Sequence, residues 1–356
     1  MRYTGTRGYH GYRGRRPSGK PWLILVLVLI LLAAAAFLIA QRYMVYEMDG
    51  SYHFELPFLR RAAAGESAVS VRGGKDQELE IVIEQPPLIQ EAMKELHARE
   101  LDVSVLQGGM SRALSALEEG TNAVAIRLKT VDGDLLYPSA LASATEANAV
   151  TGSSIARGAI EELTASDYYT IARLSALHDS RFSFAHMTEA SVEQKKYKNY
   201  IWYAPDSSFY LAPEKELARQ YLAEIAGEVA GLGFNELLFD EFGYPTAGRL
   251  NNIKTADRTM TQEEALSLLA DDLRAALSDY PDVKLSLLLD EQTVLDGSNE
   301  KAGQALADLA VRFDRIYVPT TGDKLPALRT ALAPYSAELV PVLADAPAAG
   351  AYLISQ

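Results

Sequence analysis

Two adjacent acids, Asp240 and Glu241, close the run Phe234-Asn235-Glu236-Leu237-Leu238-Phe239 and precede Phe242-Gly243-Tyr244-Pro245. Carboxylates positioned this way can take and give protons, or set negative charge against a developing cation. The run follows Gly231-Leu232-Gly233, a helix stop signal. Its apolar residues predict a strand buried on both faces of a parallel sheet, and Gly243 and Pro245 end it. Side chains alternate along a strand, so Asp240 shares a face with Glu236 and Leu238 while Glu241 turns away. A carboxylate as near as Glu236 would raise the pKa of one of the pair. The carboxyl ends of buried parallel strands are where α/β barrels hold their chemistry. The equal alternative is a loop acid that caps the next turn.

The surrounding elements must place that strand. From Leu101 onward strand and helix signals alternate. Strands are predicted at 103–107, 123–129, 168–174, 234–240, 283–290, 315–319, 338–343 and 351–355. Helices are predicted at 111–119, 154–165, 214–230, 261–279, 300–311 and 324–333. Tyr221, Leu222, Ile225 and Val229 form one apolar stripe, and Thr261 with Glu264 three residues on is a capping box. Eight strands over residues 101–356 predict an α/β fold, a (β/α)8 TIM-type barrel. A doubly wound open sheet is the alternative, but no glycine-rich phosphate turn joins a strand to a helix. Before the barrel, 69–85 carries a hairpin signal and 88–100 has helical spacing with Ile89, Met93 and Leu96 on one side. Residues 41–100 read as a stalk and small spacer, with the opening of the barrel as the alternative for the part that follows the stalk.

The 356 residues include no Cys, which excludes disulfides and thiol or Cys–zinc chemistry. His178 and His186 lack metal-ligand spacing, so neither a metal nor another cofactor is expected. The formal net charge is −13; residues 1–40 carry six cations and no acid, leaving the rest at −19. A domain that acidic is not expected to bind nucleic acid. Residues 1–21 are a basic Arg/Gly/Tyr-rich segment expected to be disordered and cytoplasmic. Trp22 to Ala40 is an unbroken apolar run of the length that crosses a bilayer. Its amino-terminal cations predict an uncleaved, single-pass anchor in the cell membrane, with the C-terminal domain outside the cell. A cleavable signal peptide would carry a shorter apolar core.

Ala123-Val124-Ala125-Ile126-Arg127-Leu128-Lys129-Thr130-Val131-Asp132-Gly133, followed by Tyr137-Pro138-Ser139, resembles a strand and turn of the glycoside-hydrolase-like family DUF4015. Tyr169-Thr170-Ile171-Ala172-Arg173-Leu174 resembles that family's next strand, and Phe234 to Pro245 aligns without a gap to its GFDEIQFDYIRFP strand. The resemblance runs from about Val103 to Pro319 and implies a TIM-type barrel related to glycoside hydrolases. It also shows departures. Arg127 stands where the family has Asp, Ala212 where it has the Asp of W-V-D-P, Gly243 where it has Arg, and Leu288 where it has the Asp of S-A-D. Asp240 keeps its place, and Asp290, one pleat step beyond Leu288, is the substitute for the missing acid.

Glycosidic cleavage uses two carboxyl groups, about 5–5.5 Å apart in retaining enzymes and about 6.5–9.5 Å in inverting ones. Neighbouring strands lie about 4.8 Å apart, so acids ending adjacent strands meet either requirement. The expectation is Asp240 as nucleophile and Asp290 or Glu291 as acid. Glu236, Glu241, Tyr203, Tyr210, Tyr244 and Tyr317 are the expected substrate contacts, the tyrosines as a sugar-stacking platform. Two functions follow. One is a membrane-anchored extracytoplasmic hydrolase acting on polysaccharide or cell-wall glycan. The other is a catalytically degraded barrel that binds glycan or scaffolds the envelope.

Overall fold

The structure is a computed structural model that describes residues 44–46, 52–54, 95–150, 155–197, 200–256, 258–347 and 349–355. The chain divides into two units, Met1–Glu91 and Ala92–Gln356. In the first, Met44–Tyr46 (β1) and Tyr52–Phe54 (β2) pair antiparallel within the segment read as a stalk. The basic segment 1–21, the apolar run 22–40 and the hairpin at 69–85 lie outside the described residues. Among the described residues, no helix is long and apolar enough to cross a membrane.

The second unit is a closed barrel of eight parallel strands, which replaces the open-sheet alternative. In chain order they are His97–Leu101 (β3), Ala123–Lys129 (β4), Tyr169–Ser175 (β5), Glu236–Asp240 (β6), Lys284–Leu288 (β7), then Arg315–Pro319 (β10), Glu338–Leu343 (β11) and Tyr352–Ile354 (β12). Between β7 and β10, Ser298–Asn299 (β8) and Gln304–Ala305 (β9) form a small antiparallel pair. The barrel closes where β12 pairs with β3 and β7 with β10.

The helices are α1 (Met110–Ser115), α2 (Ala142–Glu146), α3 (Arg157–Thr164), α4 (Ser180–Ala185), α5 (Glu216–Gly231), α6 (Gln262–Ala276), α7 (Glu291–Asp296), α8 (Leu306–Leu309) and α9 (Leu325–Leu332). The stripe on α5 is buried as its spacing requires, and the Thr261–Glu264 capping box opens α6.

Three expectations need correction. Residues 103–107 are not a strand but part of a 3-10 turn, Val103–Gly108, because the Asp102 carboxylate accepts the Ser104 N–H and caps a helical start. The first barrel strand lies earlier, at β3, where helix 88–100 was expected to end. Glu100 hides it from an apolar pattern search, since this inward-facing acid is neutralised by a partner on β5. The helix expected at 300–311 is confined to α8. Gly303, at φ +70, ends the β8–β9 turn in a conformation that disfavours a continuous helix.

Alternation along the strands divides the core in two. Val124, Ile126, Leu174, Leu237 and Phe239 face outward to the helices, whereas Ala98, Ala125, Ile171, Leu238, Tyr317 and Val340 fill the barrel. Each fully buried Val, Leu, Ile or Phe side chain among them contributes about 1.5–3 kcal/mol of transfer free energy. That apolar middle layer separates two polar layers, one at each end of the barrel.

Candidate functional site

At the carboxyl ends of the strands, Glu100 of β3, Arg127 of β4, Arg173 of β5 and Asp240 of β6 all point inward. Arg173 Nε donates to Asp240 Oδ2 at 2.7 Å, and its Nη1 donates to both Glu100 oxygens at 3.1 and 2.8 Å. Arg127 Nη2 donates to the same Asp240 oxygen at 2.9 Å. Ser355 Oγ adds a bond to Glu100 at 2.6 Å. Two cations and two anions therefore alternate across the mouth. Burial works against the Arg173 cation, but Asp240 and Glu100 outweigh it and hold its pKa above the usual value. Asp240 is 4% exposed. One of its oxygens takes both guanidiniums, and the other, Oδ1, is buried without a hydrogen-bond partner.

Beside this clasp Lys129 and Asp179 form an ion pair at 2.7 Å with both side chains fully enclosed. Asp179 also caps α4 through Phe182 N, and Lys129 donates to the Ser175 carbonyl at 2.9 Å. Gly133, at φ +91, is packed so closely that a Cβ would lie 2.1 Å from Asp179 Oδ1. The turn after β4 thus requires glycine.

Glu241 departs from the strand in the left-handed region, at φ +51. Leu177 N holds its carbonyl at 3.1 Å, and its side chain is 44% exposed. His178 lies behind it, with Nδ1 at 3.7 Å from Glu241 Oε2 and Nε2 at 2.6 Å from Ser208 Oγ. Ser208 also lies 2.6 Å from Asp206 Oδ1. A hydroxyl has one proton, and a carboxylate can only accept it. Ser208 therefore donates to Asp206 and accepts from His178 Nε2–H. This polarity makes Ser208 no nucleophile for His178; the chain instead orients the imidazole toward Glu241. The His178 ring stacks on Tyr210 at 4.4 Å and 9°. Burial, with Glu241 and then Asp206, pushes the Tyr210 phenol up to about 12.

Tyr210, Glu241, Tyr244, Leu288, Asp290 and Gln304 line a cavity of about 220 Å³ at this end. Gly243 forms part of its wall. A Cβ there would lie 3.0 Å from Gln304 Nε2 and 3.1 Å from Ala302 Cβ, so any larger side chain at this position would have to push both neighbours aside. Tyr244 is buried and bonded to Glu214 at 2.5 Å, with Arg258 over its ring at 4.7 Å.

The other expected residues disperse. Asp290 is at the mouth, one step beyond the end of β7. There it caps α7, accepting from Thr293 N at 2.9 Å and Thr293 Oγ1 at 2.5 Å. Glu291 bonds Lys324 at 2.7 Å and Thr320 at 2.6 Å. The bonds from Lys324 and then Thr320 lower its pKa, the wrong direction for a general acid. Glu236 and Tyr317 are fully buried at the opposite end, bonded to each other at 2.8 Å, and neither reaches the mouth. Glu236 bonds Arg315 as well, at 2.5 Å. The expected coupling of Glu236 to Asp240 gives way to these partners, since four residues of strand separate the two acids by about 13 Å. Tyr203 lies on the long β5–α5 connection and is 56% exposed. Sequence reading missed Glu100, Arg173 and His178. The available signal was a charged residue at an inward pleat position of an apolar strand, visible in both Arg127 and Arg173. Among the described residues, no group of three His, Asp or Glu side chains could hold a metal ion.

A family profile described as "Putative glycosyl hydrolase domain" (DUF4015) matches residues 107–318. The chain belongs to this family. The match takes in β4 to β7 and most of β10, five of the eight barrel strands, among them those that carry Arg127, Arg173 and Asp240. No curated protein matches the chain. Among solved structures, a hypothetical protein from Ruminiclostridium thermocellum is 22% identical, over 53% of this chain and 95% of that one, with a TM-score of 0.44. The PgaB (BpsB) glycoside hydrolase domain from Bordetella bronchiseptica is 15% identical, over 70% and 83%, with a TM-score of 0.46. A GH20 exo-β-N-acetylglucosaminidase from Vibrio harveyi is 10% identical, over 70% and 41%, with a TM-score of 0.45.

Proposed function

We propose that this DUF4015 protein binds polysaccharide at the mouth of its glycoside-hydrolase-like barrel without cleaving it. The observation that carries the reading is the clasp on Asp240. A nucleophile must present a free oxygen to the reacting carbon, and a general base must reach a water. Asp240 instead gives one oxygen to two guanidiniums and keeps the other enclosed. Of the two acids expected to serve as proton donor, Asp290 is a helix cap and Glu291 is tied to Lys324. The surface left for a sugar is the cavity of Tyr210, Glu241, Asp290 and Gln304. It offers a ring face for stacking and polar groups for hydroxyls. The run 22–40 with its preceding arginines supports a membrane tether, and the domain it holds would meet cell-wall or environmental glycan outside the cell.

Hydrolysis is the second reading, favoured by the fact that Glu241 and Asp290 line one cavity. The experiment is a glycan array probed with the full-length chain in detergent, paired with reducing-sugar release from every glycan that binds. Binding without release, weakened by Glu241→Gln, is the expected result. Release that Glu241→Gln or Asp290→Asn abolishes would establish the hydrolase instead.

A further inference from the structure

A second concavity, of about 650 Å³, lies between the β5–α5 connection and the segment around residue 249. Its lining includes Lys196, Tyr197, Trp202, Tyr203, Arg249 and Asn252. We infer that this groove, next to the barrel mouth, binds an anionic glycan, one whose sugars carry carboxylates. The inference rests on the glycan-binding reading above and names the substrate class.

Charge carries the first part. The chain beyond residue 40 stands at −19, yet the groove lining contains two cations and no acid. Nearby cations are neutralised: Lys215 and Lys254 both bond Glu193, and Arg258 bonds Glu214. Lys196 and Arg249 form no ion pair with a described residue. An unopposed pair of cations in an otherwise acidic domain favours a ligand of opposite charge at that spot.

Shape and chemistry carry the second part. Tyr197 is 51% exposed and Tyr203 56%; the Lys196 ammonium sits over the Tyr197 ring at 5.1 Å, which leaves the Tyr203 ring as the apolar face presented to solvent beside the cations. Rings of this kind bury the C–H faces of sugars, while the amide of Asn252 and the guanidinium of Arg249 suit hydroxyls and carboxylates. The groove is also held in shape. Trp202 Nε1 donates to the Arg249 carbonyl at 3.0 Å, and Lys195 N donates to the Asn252 carbonyl at 2.8 Å. Gly248, at φ +89, lies against Pro205, where a Cβ would come within 3.0 Å of the proline ring. The volume falls within the ~300–1,000 Å³ of small-ligand sites.

Proximity carries the third. The Trp202 indole, which lines the groove, meets the Tyr210 ring edge-on at 6.2 Å, and Tyr210 lines the mouth cavity. The two hollows therefore lie on either side of one buried aromatic contact.

The test is titration of the full-length chain, in detergent, with galacturonate oligomers, their methyl esters, and a single-stranded oligonucleotide of equal charge. The acid oligomer should bind at least tenfold more tightly than the ester, with an affinity that falls as salt is raised. Lys196→Ala with Arg249→Ala should weaken it at least tenfold and Tyr203→Ala at least fivefold, while Arg249→Lys retains most of it. Equal binding of acid and ester, indifference to these variants, or tighter binding of the oligonucleotide would overturn the inference. A neutral glycan whose binding is lost with Glu241→Gln but kept with Arg249→Ala would uphold the mouth reading alone and overturn the groove.

Discussion

The barrel carries two ion clusters built from the same materials, and they differ in what they leave undone. Both use β5 and β6, and both place an acid of β6 against arginine inside the barrel. At the floor, Glu236 gives one oxygen to Arg315 and the other to Tyr317, and Arg315 reaches Glu338 at 2.9 Å. Glu236 is 0% exposed and every polar atom of its carboxylate is engaged. At the mouth, Asp240 crowds two guanidiniums onto one oxygen and orphans the other, with Glu241 in a strained left-handed conformation beside it. A satisfied buried network rigidifies a fold, whereas unpaired atoms and strain mark a surface kept for another partner. The floor is a closed network, and the mouth leaves a buried oxygen unpaired and a backbone strained.

The largest expected effect belongs to the floor. Replacing Glu236 by Gln removes the enclosed counter-charge of Arg315 and leaves it only the half-exposed Glu338, which should destabilise the barrel by about 3–5 kcal/mol. Urea denaturation measures this, and a loss under about 1 kcal/mol would remove the distinction between the two ends. Asp240→Asn should lose less, about 1.5–3 kcal/mol, because Arg173 retains Glu100 and Arg127 is partly solvated. If Asp240→Asn proves the costlier change, the mouth is as structural as the floor.

Glu241→Gly sharpens the contrast in the other direction. Glycine relieves the φ of +51, so the fold should gain about 1 kcal/mol while glycan binding falls at least tenfold. A loss of stability would mean that the Glu241–His178 contact outweighs the strain.

The smallest effect is on alkaline stability. The Tyr210 phenol is raised in the folded state to about 12 from an ordinary 10, so its contribution is intact below pH 10 and lost as pH climbs toward 12. Melting temperature over that window should fall slightly less in Tyr210→Phe than in the wild type, because other buried tyrosines titrate in both. Identical slopes would place Tyr210 in water.

What the sequence could reveal follows the same division. β4, β10 and β11 were legible to the residue because they are apolar, flanked by breakers and buried on both faces. β3 was not, since His97-Ala98-Arg99-Glu100-Leu101 has no apolar alternation until Arg173 of a distant strand neutralises Glu100. Asp240 was legible by its place at a strand end. Its clasp was not, because it joins residues 113 and 67 positions apart in the chain. The role of Asp290 turned on one short-range fact, the Thr293 N–H three residues on, which makes it a cap. The tyrosines separated by depth alone: Tyr317 in the floor, Tyr210 at the mouth and Tyr203 in the groove share a residue type and no environment.

The most direct test is single-turnover incubation of the full-length protein in excess over an oligosaccharide that it binds, followed by mass analysis of the recovered sugar. A clasped, noncatalytic Asp240 predicts that the oligosaccharide returns intact after prolonged incubation, in the wild type as in Asp240→Asn. Shortened sugar from the wild type and intact sugar from Asp240→Asn would show that Asp240 escapes its arginines to do chemistry, contradicting the account.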